Sequence, residues 1–392
     1  MSYGWKRGLV ALAGSGLLVA GMVAGAQGAS ASGPMTLYVS PDGASGHAGW
    51  SCESAQFNTI GSAIMAAGPG ATVVVCRGTY DEAVVVPFPM VLRGNDGAIV
   101  NALDATDSQG VPAPGITVVS SDVVVRGLTV ENSTGEGILV VSPAPGAVSD
   151  VTITHNTVRS NDLGGPTSGY FQCQPQGNVP GDCGEGLHLM GVSDSWVTHN
   201  NVHGNSGGIL LTDETGPNHG NVVAHNWVHA NQFDCGITLP SHVAGNGVYD
   251  NIVRHNLIVN NGLLGEGAGV LIAAAGPSMA AYDNVVTHNV IRGNNLSGVT
   301  IHAHAPGANI SGNRIVHNRI GRNNIGGDPD AADFNTTGVL VFSAAVPVSV
   351  TIRHNVISHN HYGVWMGSNV TAPNVATSNR FFSVWQKVFV GP

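Results

Sequence analysis

Six residues draw attention by type in a chain that is only 10% charged: Glu185, His188, Asp213, Glu214, Asp234 and His242. Carboxylates held several ångströms apart can serve as general acid and general base on a glycosidic bond, and histidine moves a proton near neutral pH. Histidine and carboxylate together can equally hold a divalent cation. A second acidic set, Asp328, Asp330 and Asp333 in "GGDPDAADF", has the oxygen donors at short spacing that suit a hard cation such as calcium, without the full calcium-loop pattern. Each set has a structural alternative. Asp213 or Glu214 can accept backbone N–H bonds in the turn "TDETGPN", and "DPD" can be an ordinary Asp-Pro turn.

The elements that must position these groups come from a repeat. "VTITHNTVRSN", "SWVTHNNVHGN", "NVVAHNWVHAN", "NIVRHNLIVNN", "NVVTHNVIRGN", "NRIVHNRIGRN" and "VTIRHNVISHN" each carry a His-Asn pair, with an Asn six residues after the His. The histidines, His155, His199, His225, His255, His288, His317 and His354, lie 26 to 44 residues apart, a solenoid-scale period with insertions. Val and Ile alternate with polar residues over short runs that end at Asn or Gly, both tolerant of the left-handed conformation a sharp bend requires.

A second register follows each unit, a Gly and then an alternating strand: "GLHLM" at Gly186, "GILLT" at Gly208, "GITLP" at Gly236, "GVLIA" at Gly269 and their equivalents. Positions one and three after the Gly are always apolar, whereas position two varies (His188, Leu210, Thr238, Trp365), which describes one strict and one permissive face. Short strands joined by bends and repeated at least seven times predict a parallel β-helix, because one coil cannot bury its own apolar face and stacked coils can. The His-Asn pairs then read as architecture, with aligned Asn ladders. Stacking puts Glu185 and His188 on one coil, Asp213 and Glu214 on the next, and Asp234 and His242 on the one after. His188 is expected to point outward beside Leu210 and Thr238, with Asp213, Glu214, Ser241 and His242 at the same edge as the lip of a ligand groove. His302, His304 and Trp365 would extend that surface toward the C-terminus.

The first residues give an address. Lys6 and Arg7 precede an apolar run from Leu9 to Ala24 and then "AGAQGASAS", the layout of a secretory signal peptide over residues 1–31, leaving 32–392 as one domain. Without Lys6 and Arg7 the balance is 12 − 24 = −12, from 14 basic and 24 acidic residues in the whole chain. Nucleic acid and anionic membranes are therefore poor partners, and no membrane insertion is expected after cleavage. In an oxidising compartment Cys52 can pair with Cys76 and Cys173 with Cys183, leaving Cys235 as a small buried residue.

The start of the mature chain, "TLYVSPDG" followed by "FNTIGSAIMAAGPGATVVVCRGTYDEAVVV", together with the His-Asn units, resembles secreted right-handed parallel β-helix proteins of the pectin lyase-like superfamily. The resemblance covers the chain from Met35 on and implies an all-β right-handed solenoid, with "TIGSAIMAA" as a short N-terminal capping helix. For activity it implies lyases, hydrolases, epimerases and esterases of polysaccharides, alongside members with no known catalysis.

No catalytic signature of those groups transfers. The Asn-Thr-Asp, Asp-Asp, Gly-His-Gly and Arg-Ile-Lys motifs of polygalacturonase-like hydrolases do not occur, and "YGVWMG" at Tyr362 keeps only the first two residues of the epimerase Tyr-Gly-x-Asp-Pro-His run. Lys387 is the only lysine after the signal segment, which disfavours lysine-dependent lyases, while Arg126, Arg254 and Arg353 remain for an arginine-based one. Soft Met and Cys ligands are not clustered as a copper-accessory role would require. The expectation is a secreted β-helix that binds or processes a polysaccharide or oligosaccharide along one face. The rival is a non-catalytic surface scaffold. Mass mapping of the exported, non-reduced protein should find its N-terminus between Ala26 and Ala31 and a peptide joining Cys173 to Cys183; a retained Lys6 or alkylatable Cys173 would overturn the corresponding assignment.

Overall fold

The computed structural model describes residues 35–43, 50–103, 105, 113–162, 185–303, 305–344 and 347–391. The segment expected to be a signal peptide, Cys173, Cys183 and His304 lie outside them. Three sheets of eleven strands each run the length of the chain, and within each sheet every neighbour comes from the next coil. A coil passes from face A (for example Trp196–Thr198) through a tight corner to face B (Asn201–His203) and through a second corner to face C (Gly207–Thr212), then returns to face A at Val222–Ala224. All pairings are parallel and in register, so Leu187, Ile209 and Ile237 stack, as do His188, Leu210 and Thr238. This is a parallel β-helix.

Alternation explains the core. Positions one and three of each face C strand point inward and are buried, among them Leu187, Leu189, Ile209, Leu211, Ile237 and Leu239, and they meet Val158, Val202 and Val228 of face B and Val197 and Val223 of face A in one continuous cluster. The glycine that opens each face C strand is required by close approach. A Cβ on Gly137 would lie 2.4 Å from Val158 Cγ1 and 2.7 Å from Asn161 Nδ2.

Ile60–Ala67 forms the capping helix, with Ile60, Ala63 and Ile64 buried on the first coils. Thr59 caps it, and the Glu82 carboxylate accepts from the N–H groups of Ile60 (2.6 Å) and Gly61 (3.0 Å), placing negative charge at the positive end of the helix. The Cys52–Cys76 disulfide is formed and Cys235 is buried, as expected. No helix among the described residues is long and apolar enough to cross a membrane.

The corners are held by asparagine ladders. Between faces A and B, Asn156, Asn200, Asn226, Asn256, Asn289, Asn318, Asn355 and Asn379 are buried one above another. In each step the Oδ1 of the next rung accepts both the backbone N–H and the side-chain amide of the rung before it; for Asn226 to Asn256 these are 2.9 and 3.0 Å, and the same amide reaches the Val197 carbonyl at 2.9 Å. The Asn161 to Asn323 column does likewise between faces B and C, as Asn231 to Asn261 shows (3.3 and 2.9 Å). A third ladder, Asn221, Asn251, Asn284 and Asn313, guards the return to face A. Asn231→Leu keeps the volume and removes these bonds, leaving buried amide groups of Asn205 without their acceptor. It should lower unfolding stability by about 1 to 3 kcal/mol in denaturant titration; an unchanged midpoint would exclude the ladder as a stabilising element.

Candidate functional site

The anticipated groove is a buried polar network. His188, on the permissive face of face C, is 1% exposed, and so is Glu185. His188 keeps its expected register beside Leu210 and Thr238, but its expected exposure is corrected. Its neighbours in register, Leu210 and Thr238, are covered as well, so the permissive face here is a second interior. Trp365 is likewise buried, with Leu340 and Ala331 under Phe342 and Phe389, and does not extend an open surface; His302 is half-buried.

Within that interior the polar side chains serve one another. His188 spans two coils, with Nδ1 3.2 Å from Glu136 Oε1 and Nε2 2.8 Å from Thr212 Oγ1. Asp213, fully buried, is the socket for the turn of the next coil: its carboxylate accepts from Ser241 Oγ (2.7 Å) and from the N–H groups of His242 (2.7 Å), Val243 (3.2 Å) and Gly247 (2.8 Å). Glu214 pairs with His242, Oε1 to Nδ1 at 2.5 Å. Burial works against the Glu214 charge, but the hydrogen bond and charge of His242, with His188 and Thr212, hold its carboxyl down at about 2. Burial pushes the Asp213 carboxyl up, against its hydrogen bonds to His242, Ser241 and Gly247. Glu185 and Asp234 both flank Gly207, where an added Cβ would lie 2.8 Å from Glu185 Oε1 and 3.2 Å from Asp234 Cβ. The six residues therefore form two groups. His188, Asp213, Glu214 and His242 make one, and Glu185 and Asp234 the other.

Two members were not anticipated. Glu136 is buried on the preceding coil and Asp162 on the coil of His188, and burial, with the charge of Glu136, pushes the Asp162 carboxyl up to about 7. Glu136 precedes Gly137 as Glu185 precedes Gly186, so the shared register was the available signal.

The Asp328, Asp330 and Asp333 carboxylates do not converge as cation ligands. Asp328 and Asp333 are buried and close an antiparallel bridge (2.7 and 2.9 Å), with Asp328 Oδ1 capping Ala331 N and Asp333 accepting from Asn324, Asn335 and Thr337, while Asp330 is exposed. Among the described residues no group of three or more His, Cys, Asp or Glu side chains is arranged to hold a metal ion. The calcium expectation is corrected: these acids build a turn.

The open surface lies at faces A and B. At the corner between them the residue before each ladder Asn from Asn156 to Asn355 is a histidine in the left-handed conformation, φ 55 to 59°, and all seven imidazoles are exposed. Successive rings from His155 to His354 stand 4.8 to 5.1 Å apart, close to parallel except for the last, tilted pair. On either side runs an apolar track. Trp196, 41% exposed, stands in register with Val222, Ile252 and Val285 on face A, and Trp227, 47% exposed, with Leu257 and Val290 on face B. Cations collect here. From Val123 on, the strands of these two faces carry Arg126, Arg159, Arg254, Arg292, Arg314, Arg319, Arg353 and Arg380 but only one carboxylate, Glu131, paired with Arg159 at 2.7 Å. Five left-handed aspartates, Asp122, Asp150, Asp194, Asp250 and Asp283, line the far edge of face A. At the last coils an open depression of about 740 Å³ is lined by Arg322, Thr336, His359, Asn360, His361, Ser383, Val384 and Trp385, whose indole stacks on His361 (5.9 Å).

A sequence family described as the right-handed β-helix region matches residues 107–279 and 172–315, together more than half of the 392 residues. No curated protein sequence matches the chain. Among solved structures, similarity extends to the pectate lyase Pel9A (18% identity, TM-score 0.53, covering 89% of this chain and 80% of that one). A lacto-N-biosidase from Eubacterium ramulus is also similar (11%, 0.54, 90% and 68%), as is a polygalacturonase from Erwinia carotovora (11%, 0.47, 94% and 99%). At these identities the likeness is one of fold.

The buried network makes a signed prediction for stability against pH. The Glu214 carboxyl is depressed in the fold, so its contribution is present above the ordinary carboxylate range and is lost as pH falls through about 2. Asp162 is raised, so its contribution is full at low pH and is lost as pH rises through about 7. Glu214→Gln should therefore cost about 2 to 3 kcal/mol at neutral pH and little near pH 2. Asp162→Asn should unfold at a higher temperature than wild type at pH 8 and match it near pH 4. Curves parallel to wild type at every pH would show that neither group senses its surroundings in this way.

Proposed function

Because the chain belongs to the right-handed parallel β-helix family, we propose that it is an exported protein that binds a polysaccharide lengthwise along the corner between faces A and B. The observation that carries this reading is the pair of exposed indoles, each heading an apolar track on a flat, regularly spaced sheet. Tryptophan is usually well buried, so two exposed on adjacent faces invite a flat partner. A pyranose ring presents an apolar face of C–H groups to an indole and directs its hydroxyls sideways. Here those hydroxyls would meet arginine, histidine, threonine and asparagine side chains of neighbouring strands.

Export is supported by the Lys6, Arg7 and Leu9–Ala24 pattern and by the Cys52–Cys76 disulfide. Two proteins of similar fold are a pectate lyase and a lacto-N-biosidase, in keeping with a carbohydrate ligand. Binding is favoured over hydrolysis or elimination because His188, Asp213 and Glu185, the groups first suited to proton transfer, are enclosed and a polymer needs an open track to reach them.

The mature protein should be titrated against a panel of neutral and charged polysaccharides by calorimetry or affinity electrophoresis. Trp196→Ala and Trp227→Ala should each weaken binding about three- to tenfold with unchanged folding. Loss of binding confined to Trp385→Ala would move the ligand to the depression at the last coils, and no binding across the panel would favour the scaffold role.

A further inference from the structure

We propose that the stacked-histidine edge is a proton-gated stripe that binds a linear anionic glycan more tightly in mild acid than at neutral pH. The proposal rests on the polysaccharide reading and deepens it by naming the charge class of the ligand and the regulation of its binding.

The backbone does not demand histidine at this corner. It demands only a residue tolerant of positive φ, and the other left-handed columns show how loosely that is met. At the corner between faces B and C the left-handed equivalents are Ser160, Gly204, Ala230, Asn260, Gly293 and His359, while the far edge of face A mixes aspartate with Gly220 and Gly312. Only the corner between faces A and B repeats one side chain on seven successive coils from His155 to His354. Asparagine or glycine would serve the bend as well or better. The imidazole is therefore surplus to the fold.

The geometry makes the seven rings one object. Each is fixed by its left-handed backbone and by the buried Asn that follows, so the nitrogens form a row at the coil repeat, roughly 30 Å long over six steps. The elements packed against the row are the strands of faces A and B. From face A the flanking charges are Arg126, Arg254 and Arg353, with Arg314 at the far end of its strand, and from face B Arg319 and Arg380, with Arg292, His203, His229 and the Arg159–Glu131 pair at the far ends of the face B strands. The aspartate row lies beyond the full width of face A, with Asp150, Asp194, Asp250 and Asp283 each five residues before a row histidine and Asp122 five before Gly127.

Charging one ring is opposed by its neighbours. Partial burial, then His225, His288 and Arg254, hold His255 below the ordinary histidine range, and burial with His354, His288 and Arg353 does the same for His317. Protons added along the row therefore meet like charges at the coil spacing. An anionic polymer lying along it cancels that repulsion. By linkage, whatever binds the protonated row more tightly is itself bound more tightly when the row is protonated. A polymer with one sulfate or carboxylate per sugar repeats its charge at an interval comparable to the coil repeat. The flanking tracks from Trp196 and Trp227 supply the apolar contact such a chain also needs.

The test uses the mature protein and three polymers of one backbone: dextran, dextran sulfate and carboxymethyl-dextran. Both charged forms should bind at least tenfold more tightly at pH 5 than at pH 7.5, while dextran should show no such change; the two arms separate sulfate from carboxylate as the preferred group. Replacing His199, His225, His255 and His288 together by Asn, which accepts the same backbone conformation, should abolish the gain at pH 5 while thermal unfolding stays near wild type. Independently of any variant, the midpoints of the histidine ring protons in an NMR titration should rise when dextran sulfate is present. Equal affinity at both pH values, a four-histidine variant that keeps the gain, or unmoved midpoints would each overturn the stripe. Should a neutral polysaccharide still bind and depend on Trp196 and Trp227, the polysaccharide reading stands although the stripe has failed; loss of both sends the corner back to a purely structural role.

Discussion

Everything in this molecule depends on how a buried corner satisfies its backbone. A coil that turns sharply inside a solenoid exposes N–H and C=O groups to an apolar interior, where each unpaired group costs about 1 to 3 kcal/mol. The Asn side chain answers this because it offers an acceptor and two donors from a single short amide. One Oδ1 takes a backbone N–H and a side-chain amide from the preceding rung, and the donors reach onward to the next rung and back to a carbonyl. Such bonds close only if successive Asn residues sit one strand spacing apart. The ladder therefore imposes strict register on the coils, and the three sheets inherit it.

Strict register has a chemical consequence. Any side chain at a fixed distance from a ladder Asn is stacked on its equivalents, whatever its type. Inward positions turn this into a column of Val, Ile and Leu. Outward positions turn it into rows: histidines at one corner, aspartates at the far edge of face A, apolar tracks between. Like-charged neighbours at that spacing disfavour one another's ionisation, which an imidazole can answer by staying neutral and stacking. A row of carboxylates is tolerated on the solvated edge, where water and salt screen it, with Gly220 and Gly312 interrupting the run.

The architecture was legible because its signals are local and repeated. The Gly-apolar-x-apolar strand, the His-Asn pair and the Asn six residues on are each read within one unit, and every one lies where the alternation puts it. The third ladder was equally present in the first letter of "NVVAHN", "NIVRHN", "NVVTHN" and "NRIVHN", but reading the pair drew attention past it. Burial of the outer surface of face C was not legible. Whether position two meets water is decided by chain remote in sequence, as where Phe389 and Ala331 help enclose Trp365, and alternation along one strand carries no trace of it. The same ignorance made His188 look like a groove residue, and hid that Glu136, on the preceding coil, is its partner. Exposure, not residue type, decides which of two histidine sets can meet a ligand.

The neighbouring pair His-Asn shows how one dipeptide divides two duties. The Asn faces in, and its bonds are part of stability; the His faces out at the same corner, and its ring can be changed with little effect on packing. A solenoid that needs only the second residue for its fold is free to use the first for recognition, and repeating the unit multiplies both. Stability then grows by adding rungs to the ladder, while the outward row lengthens by one ring per rung. Because the ladder sets the spacing, the length of an extended ligand matched by the row is fixed by the number of coils and not by any loop. A surface built this way favours a ligand that is itself a regular polymer, since only a repeating partner can meet the same side chain at every step.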